Sequence, residues 1–562
     1  MCPYAAQAVE GLQMSGMFRR PFRNHQEDSG CECEPYDDAP LSANVRNMCA
    51  LSATIRAKSN WWSKAQDPGI RARWREEAIS TPVLYGNISL TEDEVSYVLD
   101  ELAWYASRRD EETGIEASIF QRIWQSDTLV DDALHAELLR AVAKLEDIPE
   151  DQKDWHPRAD GQVLDLVHPS LYCIVYDRTT LRDGYDPTLP PSAAQFKDIY
   201  KFCSERFCWL PTDFAISKDG AAAKALGYIN NLDPRLHASA YPVVERLVAR
   251  FVPLWERVLA ESRVDLGMRC LVHGNYWWGR RSQSNSQSEG SNDGSGSGES
   301  YREITRTLHL PGVNVPFQPY PDPEPVYLKG CTLQVIIKLA NIILTPSKPQ
   351  YPGGSWHVEG MLDEAIVSTG IYYYNEENTT DSALAFRMAV SEPYYNQSDD
   401  EGMQAVYGLE NEGPLNQHLG SVVTKQGRCI AFPNVYQHQV QPFELVEKSR
   451  PGHRKIVALF LVDPALPKPR ISTSNVPPQQ KEWMKALLQD IAAEQRVKDD
   501  ITAKGLGKLP VEMVDMIIDQ ADWLMSRQEA EELRLELMDE RSAMTEDNDE
   551  LVFSVPFNLC EH

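Results

Sequence analysis

A histidine and a glutamate separated by one residue, His357 and Glu359, lie in the stretch "GGSWHVEGMLDEAIVSTGIYYYN" (353–375). Residues i and i+2 of an extended chain point to the same side, so both side chains can reach one ion. Two histidines and one carboxylate on one face of a divalent metal leave its other positions open, as in non-haem Fe(II) oxygenases. Taken alone, a His-x-Glu pair is more often a surface pair on a strand, so the interpretation depends on a third ligand.

The third ligand would be another of the chain's twelve histidines. His418 lies in a loop-like stretch, and His453 lies in "RPGHRKI". His438, in "RCIAFPNVYQHQVQPF", follows an apolar strand and a Pro-Asn break, and a basic residue heads the next strand. The sequence therefore predicts a metal site made of His357, Glu359 and His438.

That basic residue is Arg454, which opens "RKIVALFLVDP". A buried arginine at the inner end of a sheet needs a carboxylate partner. If the protein does not supply one, a dicarboxylic cosubstrate can. Two further side chains have two interpretations each: Trp356 stacks on substrate or forms a wall of the sheet, and Arg387 meets a substrate carboxylate or is a solvated strand-end arginine.

These motifs, in this order, resemble the Fe(II)/2-oxoglutarate-dependent dioxygenases. The chain has His-x-carboxylate, then "IVSTGIYYYN", "GRCIAFP", His-x-Val-x-Pro, and an arginine before "IVALFLVD". Within that superfamily the likeness is to the prolyl-hydroxylase type, since Arg454 lies nine residues before Asp463, as the cosubstrate arginine does there. The resemblance implies an α+β protein with a double-stranded β-helix (jelly-roll) core inside a large helical frame.

The resemblance also implies roles for individual residues. His357, Glu359 and His438 would bind Fe(II), and O₂ would take an open metal position. Arg454 would form a two-pronged salt bridge with the distal carboxylate of 2-oxoglutarate, which arginine geometry suits better than lysine.

Residues of two neighbouring strands would complete the pocket. Tyr373 would contact the same carboxylate, and Thr369 and Ile371 share its strand face by alternation. Asn341 is a weaker candidate for a cosubstrate contact, whereas Tyr372 and Tyr374 are expected to be packing aromatics.

One residue departs from the pattern of the prolyl-hydroxylase type, which usually has aspartate where this chain has Glu359. Glutamate is one methylene longer but is still an oxygen ligand. A second resemblance covers nearly everything after residue 80, through "DWHPRADGQVLDLVHPSLY" and "LQVIIKLANI". It is to a mainly fungal family known as domain of unknown function 4246.

The elements that would position these residues follow from the local patterns. Residues 1–50 are polar and predict a flexible arm. Residues 51–325 are mainly helical, with strands that extend the core sheet and a Ser/Gly-rich loop near 280–300. Residues 326–470 predict the strands of the catalytic core. The helical tail, 471–562, is expected to pack outside the sheet as a solvated cover or to form a homo-oligomer contact.

Composition restricts the class of partner. The chain has 562 residues, is 42% hydrophobic and carries a net charge of −28. So acidic a surface repels phosphate backbones and disfavours anionic membranes. Eleven scattered cysteines suit reduced thiols, and no apolar run is long enough for a signal peptide or a bilayer span. We expect a cytoplasmic protein with a small-molecule substrate.

The function predicted from the residues and the resemblance is an oxygenase that oxidises a C–H bond of an amino acid or of a secondary-metabolite intermediate. Hydroxylation, desaturation and oxidative ring closure, such as aziridine formation from valine, remain open. The alternatives are a protein or peptide hydroxylase and a non-catalytic scaffold that keeps the fold.

Overall fold

A computed structural model describes residues 18, 21, 39–80, 89–176, 178–182, 202–263, 277–279, 307–308, 312–313, 316–466, 470–497 and 511–559. The predicted Ser/Gly-rich loop near 280–300 and most of the predicted N-terminal arm lie outside these residues.

The helices lie mostly on either side of a β-rich middle. Several begin at a side chain that accepts a hydrogen bond from the first turn, as with Thr91, whose hydroxyl and Glu94 form a capping box. The helices are α1 (Ala43–Arg56), α2 (Trp61–Lys64), α3 (Pro68–Ser80), α4 (Glu92–Ser107), α5 (Asp132–Glu146), α6 (Tyr241–Glu261), α7 (Asp400–Tyr407), α8 (Lys481–Val497), α9 (Val511–Asp519) and α10 (Arg527–Asn548).

The strands are concentrated between residues 332 and 462, where β-branched and aromatic residues are frequent. They are β1 (Glu116–Ala117), β2 (Trp124–Ser126), β3 (Val163–Val167), β4 (Ile174–Val175), β5 (Phe207–Cys208), β6 (Thr212–Ile216), β7 (Ala223–Ala225), β8 (Trp278–Gly279), β9 (Thr307–Leu308), β10 (Thr332–Leu344), β11 (Gln350–Tyr351), β12 (Ile366–Glu377), β13 (Ser382–Ala389), β14 (Asn416–Thr424), β15 (Cys429–Pro433), β16 (Gln437–Val440), β17 (Phe443–Glu444) and β18 (Gly452–Val462).

One large antiparallel sheet has the order β1-β2-β15-β12-β18-β10-β6-β7, and β3 also pairs with β10. A smaller antiparallel sheet has the order β14-β13-β16, and a two-stranded ribbon joins β11 to β17. The chain is therefore a mixed α/β protein with antiparallel sheets.

The two larger sheets face each other across one apolar core. The large sheet contributes alternate residues of its central strands, and the small sheet contributes residues of β13 and β14. Members of this interior cluster include Ile336, Ile371, Tyr373, Phe432, Ala458 and Phe460 on one side and Leu384, Phe386, Met388 and Val422 on the other.

The opposite face of the large sheet is covered by helices, chiefly α6. Gly370 lies on β12 where α6 crosses, and a Cβ there would stand 2.5 Å from the ring of Phe251. Glycine is thus required for this close approach. Tyr372 and Tyr374 point into this helix-covered core, so the prediction that they are packing aromatics is confirmed.

Two predictions for the termini need correction. Helix α1 begins at Ala43 and buries Val45 and Met48, so the arm predicted for residues 1–50 ends before it. The last helix, α10, is also more than a solvated cover: Leu533 and Leu537 lie in the interior cluster, and Arg534 is only 2% exposed. The error arose because a charged side chain that is buried in an ion pair looks, in the sequence, like one in solvent.

Among the described residues, no helix is both long and apolar enough to cross a membrane.

Candidate metal centre

His357 and His438 come from segments about eighty residues apart, joined by an isolated antiparallel bridge. The His357 backbone N–H donates to the His438 carbonyl at 3.2 Å, and the His438 N–H donates to the His357 carbonyl at 3.0 Å. His357 lies in the connection between β11 and β12, and His438 lies in β16. The bridge brings both imidazoles beside Glu359.

The ligand atoms of these three residues converge. Nε2 of His438 lies 3.3 Å from Oε1 of Glu359, and Nε2 of His357 lies 3.9 Å from the same oxygen. Two ligand atoms each about 2.1 Å from one ion, and at right angles, lie about 3 Å apart. A metal could bind all three after a small adjustment of side chains.

The exposure of the three side chains shows how a ligand would approach. His357 is 34% exposed, Glu359 is 14% exposed and His438 is 4% exposed. The centre therefore opens to solvent on the His357 side and closes on the His438 side, where Phe386 and Phe432 pack against the ring.

The protonation states suit a divalent cation. Nδ1 of His357 bonds the Ser355 carbonyl at 2.9 Å, which requires the proton on Nδ1 and leaves the Nε2 lone pair free. Desolvation and the neighbouring His438 lower the pKa of His357 to about 4. Burial opposes ionisation of Glu359, but the hydrogen bond to His438 and the charge of His357 outweigh it and lower its pKa to about 2. Near neutral pH the site offers a neutral imidazole and a carboxylate.

Asn434 holds this geometry, and the sequence analysis missed it. Its Oδ1 accepts the Glu359 backbone N–H at 2.8 Å, and its Nδ2 donates to the Glu359 carbonyl at 2.8 Å and to the Ile366 carbonyl at 3.1 Å. The side chain is fully buried, four residues before His438. An asparagine four residues before a proposed ligand could have been noticed, but its partners are set by the tertiary fold.

A second His-carboxylate-His group, His156, Asp165 and His168, also brings its ligand atoms together. Arg534 donates to Oδ2 of Asp165, the oxygen that also bonds Nδ1 of His156 at 2.7 Å. Nδ1 of His168 accepts the Ser170 N–H at 3.2 Å, so the proton of a neutral ring lies on Nε2. A guanidinium already pairs with one oxygen of this carboxylate, so the group forms an ion-pair cluster that suits a cation less well than His357, Glu359 and His438 do.

Arg454 lies on β18 facing the interior and is 2% exposed. Its Nη2 donates to Oε2 of Glu376 at 2.8 Å and to the Thr424 carbonyl at 3.0 Å, and Nη1 donates to the Thr424 hydroxyl. The protein therefore supplies a carboxylate partner, which the sequence analysis had left open. The Nε of Arg454 is buried without a hydrogen-bond partner.

Tyr373, Ile371 and Thr369 share the interior face of β12, paired in the register with Ile456, Ala458 and Phe460 of β18. Burial raises the pKa of the Tyr373 hydroxyl, so it remains a hydrogen-bond donor. The Thr369 hydroxyl is buried and has no hydrogen-bond partner. These positions line the interior between Arg454 and the ligand cluster.

Asn341 does not line the interior with Thr369, Ile371 and Tyr373. It lies on β10 with its side chain on the helix-covered face, where Nδ2 donates to Glu146 at 2.6 Å and Oδ1 accepts from Tyr374 at 3.1 Å. Strand alternation explains the correction: Asn341 has the phase of Ile337 and Leu339, which pack on that same face.

Trp356 and Arg387 meet at the mouth of the site. The Arg387 guanidinium lies over the Trp356 ring, 4.8 Å from its centroid, and pairs with Asp549 after the end of α10. Arg387 is thus partly buried and ion-paired rather than solvated. The other edge of Trp356 meets the exposed His418, with ring centroids 5.3 Å apart.

Comparison with family models gives one match over most of the chain. Residues 92–487 match the model described as "Protein of unknown function (DUF4246)", and residues 3–77 match the model of its N-terminal domain. No curated protein matches the sequence.

Solved structures give only distant likenesses. A BsmA homologue from Methylobium petroleophilum is 9% identical with a TM-score of 0.15, and the match covers 25% of this chain and 44% of that one. The Fe(II)/α-ketoglutarate-dependent dioxygenase TqaL is 10% identical with a TM-score of 0.21, covering 61% and 96%. The rice dioxygenase for auxin oxidation is 12% identical with a TM-score of 0.23, covering 61% and 74%. The chain thus spans less than half of the BsmA homologue. TM-scores this low support no conclusion about fold or function.

Proposed function

We propose that this chain, which belongs to the DUF4246 family, is a non-haem Fe(II)/2-oxoglutarate-dependent oxygenase. It would oxidise a C–H bond of a small molecule. The observation that carries the proposal is the convergence of His357, Glu359 and His438 on one point. The family description names no activity, so the proposal rests on the site itself.

The donor set fits Fe(II). Two imidazole nitrogens and one carboxylate oxygen on one side of an ion are the ligands of the facial triad. The Ser355 carbonyl directs the Nε2 lone pair of His357 toward Glu359, and Asn434 fixes the backbone that carries the carboxylate. The alternative cluster of His156, Asp165 and His168 lacks this fit because Arg534 is already paired there.

The strand order supports a double-stranded β-helix as the core. From β10 to β18 the chain passes repeatedly between the large sheet and the smaller, facing strands, with β13 and β14 both in the small sheet, which is compatible with a jelly roll. His357 and His438 join the two at one end of the interior. The metal would lie between the sheets rather than on an outer surface.

The surroundings of Arg454 support a cosubstrate site. Its buried Nε retains a free donor, and the Tyr373 hydroxyl, close enough for the charge of Arg454 to act on it, makes no hydrogen bond to the described residues. A carboxylate accepting from both would satisfy them. Glu376 then serves to orient the guanidinium rather than to replace the cosubstrate.

With Fe(II) and 2-oxoglutarate bound, the centre would supply the oxidising chemistry for C–H oxidation by dioxygen. The protein's own residues orient and shield it. Phe386 and Phe432 exclude water around His438, and Ile371 gives an apolar wall. The contact of Trp356 and Arg387, secured by Asp549, narrows the mouth, which favours a small substrate over a folded protein.

The decisive experiment is to purify the protein anaerobically, add Fe(II) and 2-oxoglutarate, and record the weak visible absorption of the Fe(II)–2-oxoacid chelate. We expect the band in the wild type and in His156→Ala, and its loss in His438→Ala. The His156 variant is a matched control because it removes a histidine from the second cluster. A band that survives in His438→Ala, or is absent in the wild type, would overturn the proposal.

A further inference from the structure

A lysine on the interior face of the large sheet has no hydrogen-bond or ion-pair partner among the described residues. Lys338 lies on β10 opposite Ala458 of β18, which belongs to the interior cluster. The same face of β10 carries Ile336, also of that cluster. Within the described part of the chain, the Lys338 ammonium makes no hydrogen bond and has no carboxylate oxygen within 4.0 Å.

Lys338 nevertheless lies between two groups of charged side chains. Its charge acts on His357 and Glu359 of the proposed metal centre and on Asp165 and His168 of the ion-pair cluster. Its side chain is only partly accessible to solvent. It is therefore a half-buried cation on the interior face of β10, near enough to the proposed metal centre for its charge to act there.

The strand register places Lys338 apart from the proposed cosubstrate site. Ile371, Ala458 and Lys338 form one row across three strands, and Glu376, Arg454 and Ile342 form another. The two rows are four residues apart along β18, about 13 Å at the usual rise of a strand. Tyr373 lies on β12, two strands away from β10. One carboxylate held by Arg454 and Tyr373 would not also meet Lys338.

The two neighbouring carboxylates have charged partners other than Lys338, although Oδ1 of Asp165 has no hydrogen-bond partner among the described residues. Asp165 pairs with Arg534 and His156, and Glu359 would be neutralised by the metal. A partly buried cation without a counter-charge is unfavourable, and a bound anion removes that cost. Lysine also provides three donors on a flexible stem, which suits a carboxylate of a mobile small ligand.

We propose that the Lys338 ammonium binds the carboxylate of the primary substrate beside the metal centre, so that the substrates are small carboxylic acids, free amino acids among them. This inference rests on the proposed oxygenase function and adds the substrate class to it. Lys338 then selects acids over their neutral amides or esters.

The test uses Lys338→Met, which keeps the stem and removes the charge, Lys338→Arg, which restores it, and Lys348→Met as control. Lys348 is an exposed lysine paired with Asp160 after the end of the same strand. The probes are a panel of free L-amino acids and short carboxylic acids, each with its carboxamide. Binding is measured calorimetrically on Zn(II)-loaded protein with 2-oxoglutarate, which cannot turn over, and stimulation of 2-oxoglutarate consumption on the Fe(II) protein.

We expect at least one acid to bind the wild type about tenfold or more tightly than its amide, the size of one charge-assisted hydrogen bond. Lys338→Met should lose that preference while keeping the Fe(II)–2-oxoacid chelate, and Lys338→Arg should recover part of it. Lys348→Met should match the wild type.

Three results would overturn the inference: no acid of the panel binds in preference to its amide, Lys338→Met keeps the preference, or Lys338→Met loses the chelate, which would assign Lys338 to the cosubstrate. Each of these leaves a wild-type chelate, so the proposed function stands. An absent chelate in the wild type ends the proposed function instead.

Discussion

His357 and His438 exchange two backbone hydrogen bonds, so their imidazoles stand side by side with ring centroids 4.4 Å apart. The bridge fixes the spacing of two proposed ligands through the backbone rather than through side-chain packing. Glu359, two residues further, is tied to the same region by Asn434.

Asn434→Ala should weaken divalent metal binding by about 10- to 100-fold, as loss of a residue that orients a ligand usually does. The reason is that the Glu359 backbone loses both of its hydrogen bonds to this side chain. Zn(II) titration monitored by calorimetry measures the change. Asn434→Asp keeps the acceptor but not the donors, so its metal affinity should fall between those of the wild type and Asn434→Ala. Equal affinity in all three proteins would remove Asn434 from the site.

Glu359→Gln should reduce metal affinity more than Glu359→Asp does. The glutamine removes the charge that pairs with the metal, whereas aspartate keeps it and only retracts the oxygen that lies 3.3 Å from His438. Affinities for Mn(II) and Zn(II) give the comparison. If Glu359→Asp bound metal as poorly as Glu359→Gln, side-chain length and not charge would be the limiting property.

Glu261 should make the protein less stable as pH rises. Burial raises its pKa to about 7, although the Arg122 backbone N–H at 2.7 Å acts in the opposite direction. The folded-state pKa is above the ordinary value near 4.5, so the folded protein binds the extra proton and its stability falls between about pH 4.5 and 7. The loss would be at most about 3 kcal/mol.

Urea unfolding at pH 5 and pH 8 measures this loss. Glu261→Gln should show a smaller difference between the two pH values than the wild type. Glu137→Gln, at an exposed ion pair with Arg246, should behave like the wild type. An unchanged difference in Glu261→Gln would assign the pH dependence to other groups.

Arg534→Met should lower the free energy of unfolding by about 3 to 5 kcal/mol, because it leaves the buried carboxylate of Asp165 without its guanidinium partner. Arg158→Met is the matched control: its partner Asp539 is also on α10, but both side chains are more than half exposed. That control should stay within about 0.5 kcal/mol of wild type. Similar losses of stability in Arg534→Met and Arg158→Met would contradict the distinction between a buried and an exposed ion pair.

The proposed ligand set could be predicted from the sequence because each part of it has a local signal. His357 and Glu359 are two residues apart on an extended segment, and His438 follows an apolar strand. Their convergence in the structure needs the bridge between segments far apart in the chain, which no local pattern encodes.

The errors have physical causes. The strand "TLQVIIKLANIIL" is buried on both faces, so it has no polar-apolar alternation to show which residues face the interior. Lys338 and Asn341 are three residues apart and lie on opposite faces, and the predicted cosubstrate contact, Asn341, lies on the helix-covered face. The pairing of Arg454 with Glu376 follows from the register of β12 and β18, which includes a bulge between Tyr373 and Asn375.

A metal bound by His357 and His438 would also stabilise the fold, because these two residues lie on separate segments of the chain. Two ligands on segments roughly eighty residues apart would make the ion a cross-link that closes a long loop, and long loops gain the most from closure. Any ion held there would stabilise the folded chain by an amount that rises with the logarithm of one plus the ratio of its free concentration to its dissociation constant. Thermal unfolding would then report how full the centre is, even for a cation that supports no chemistry.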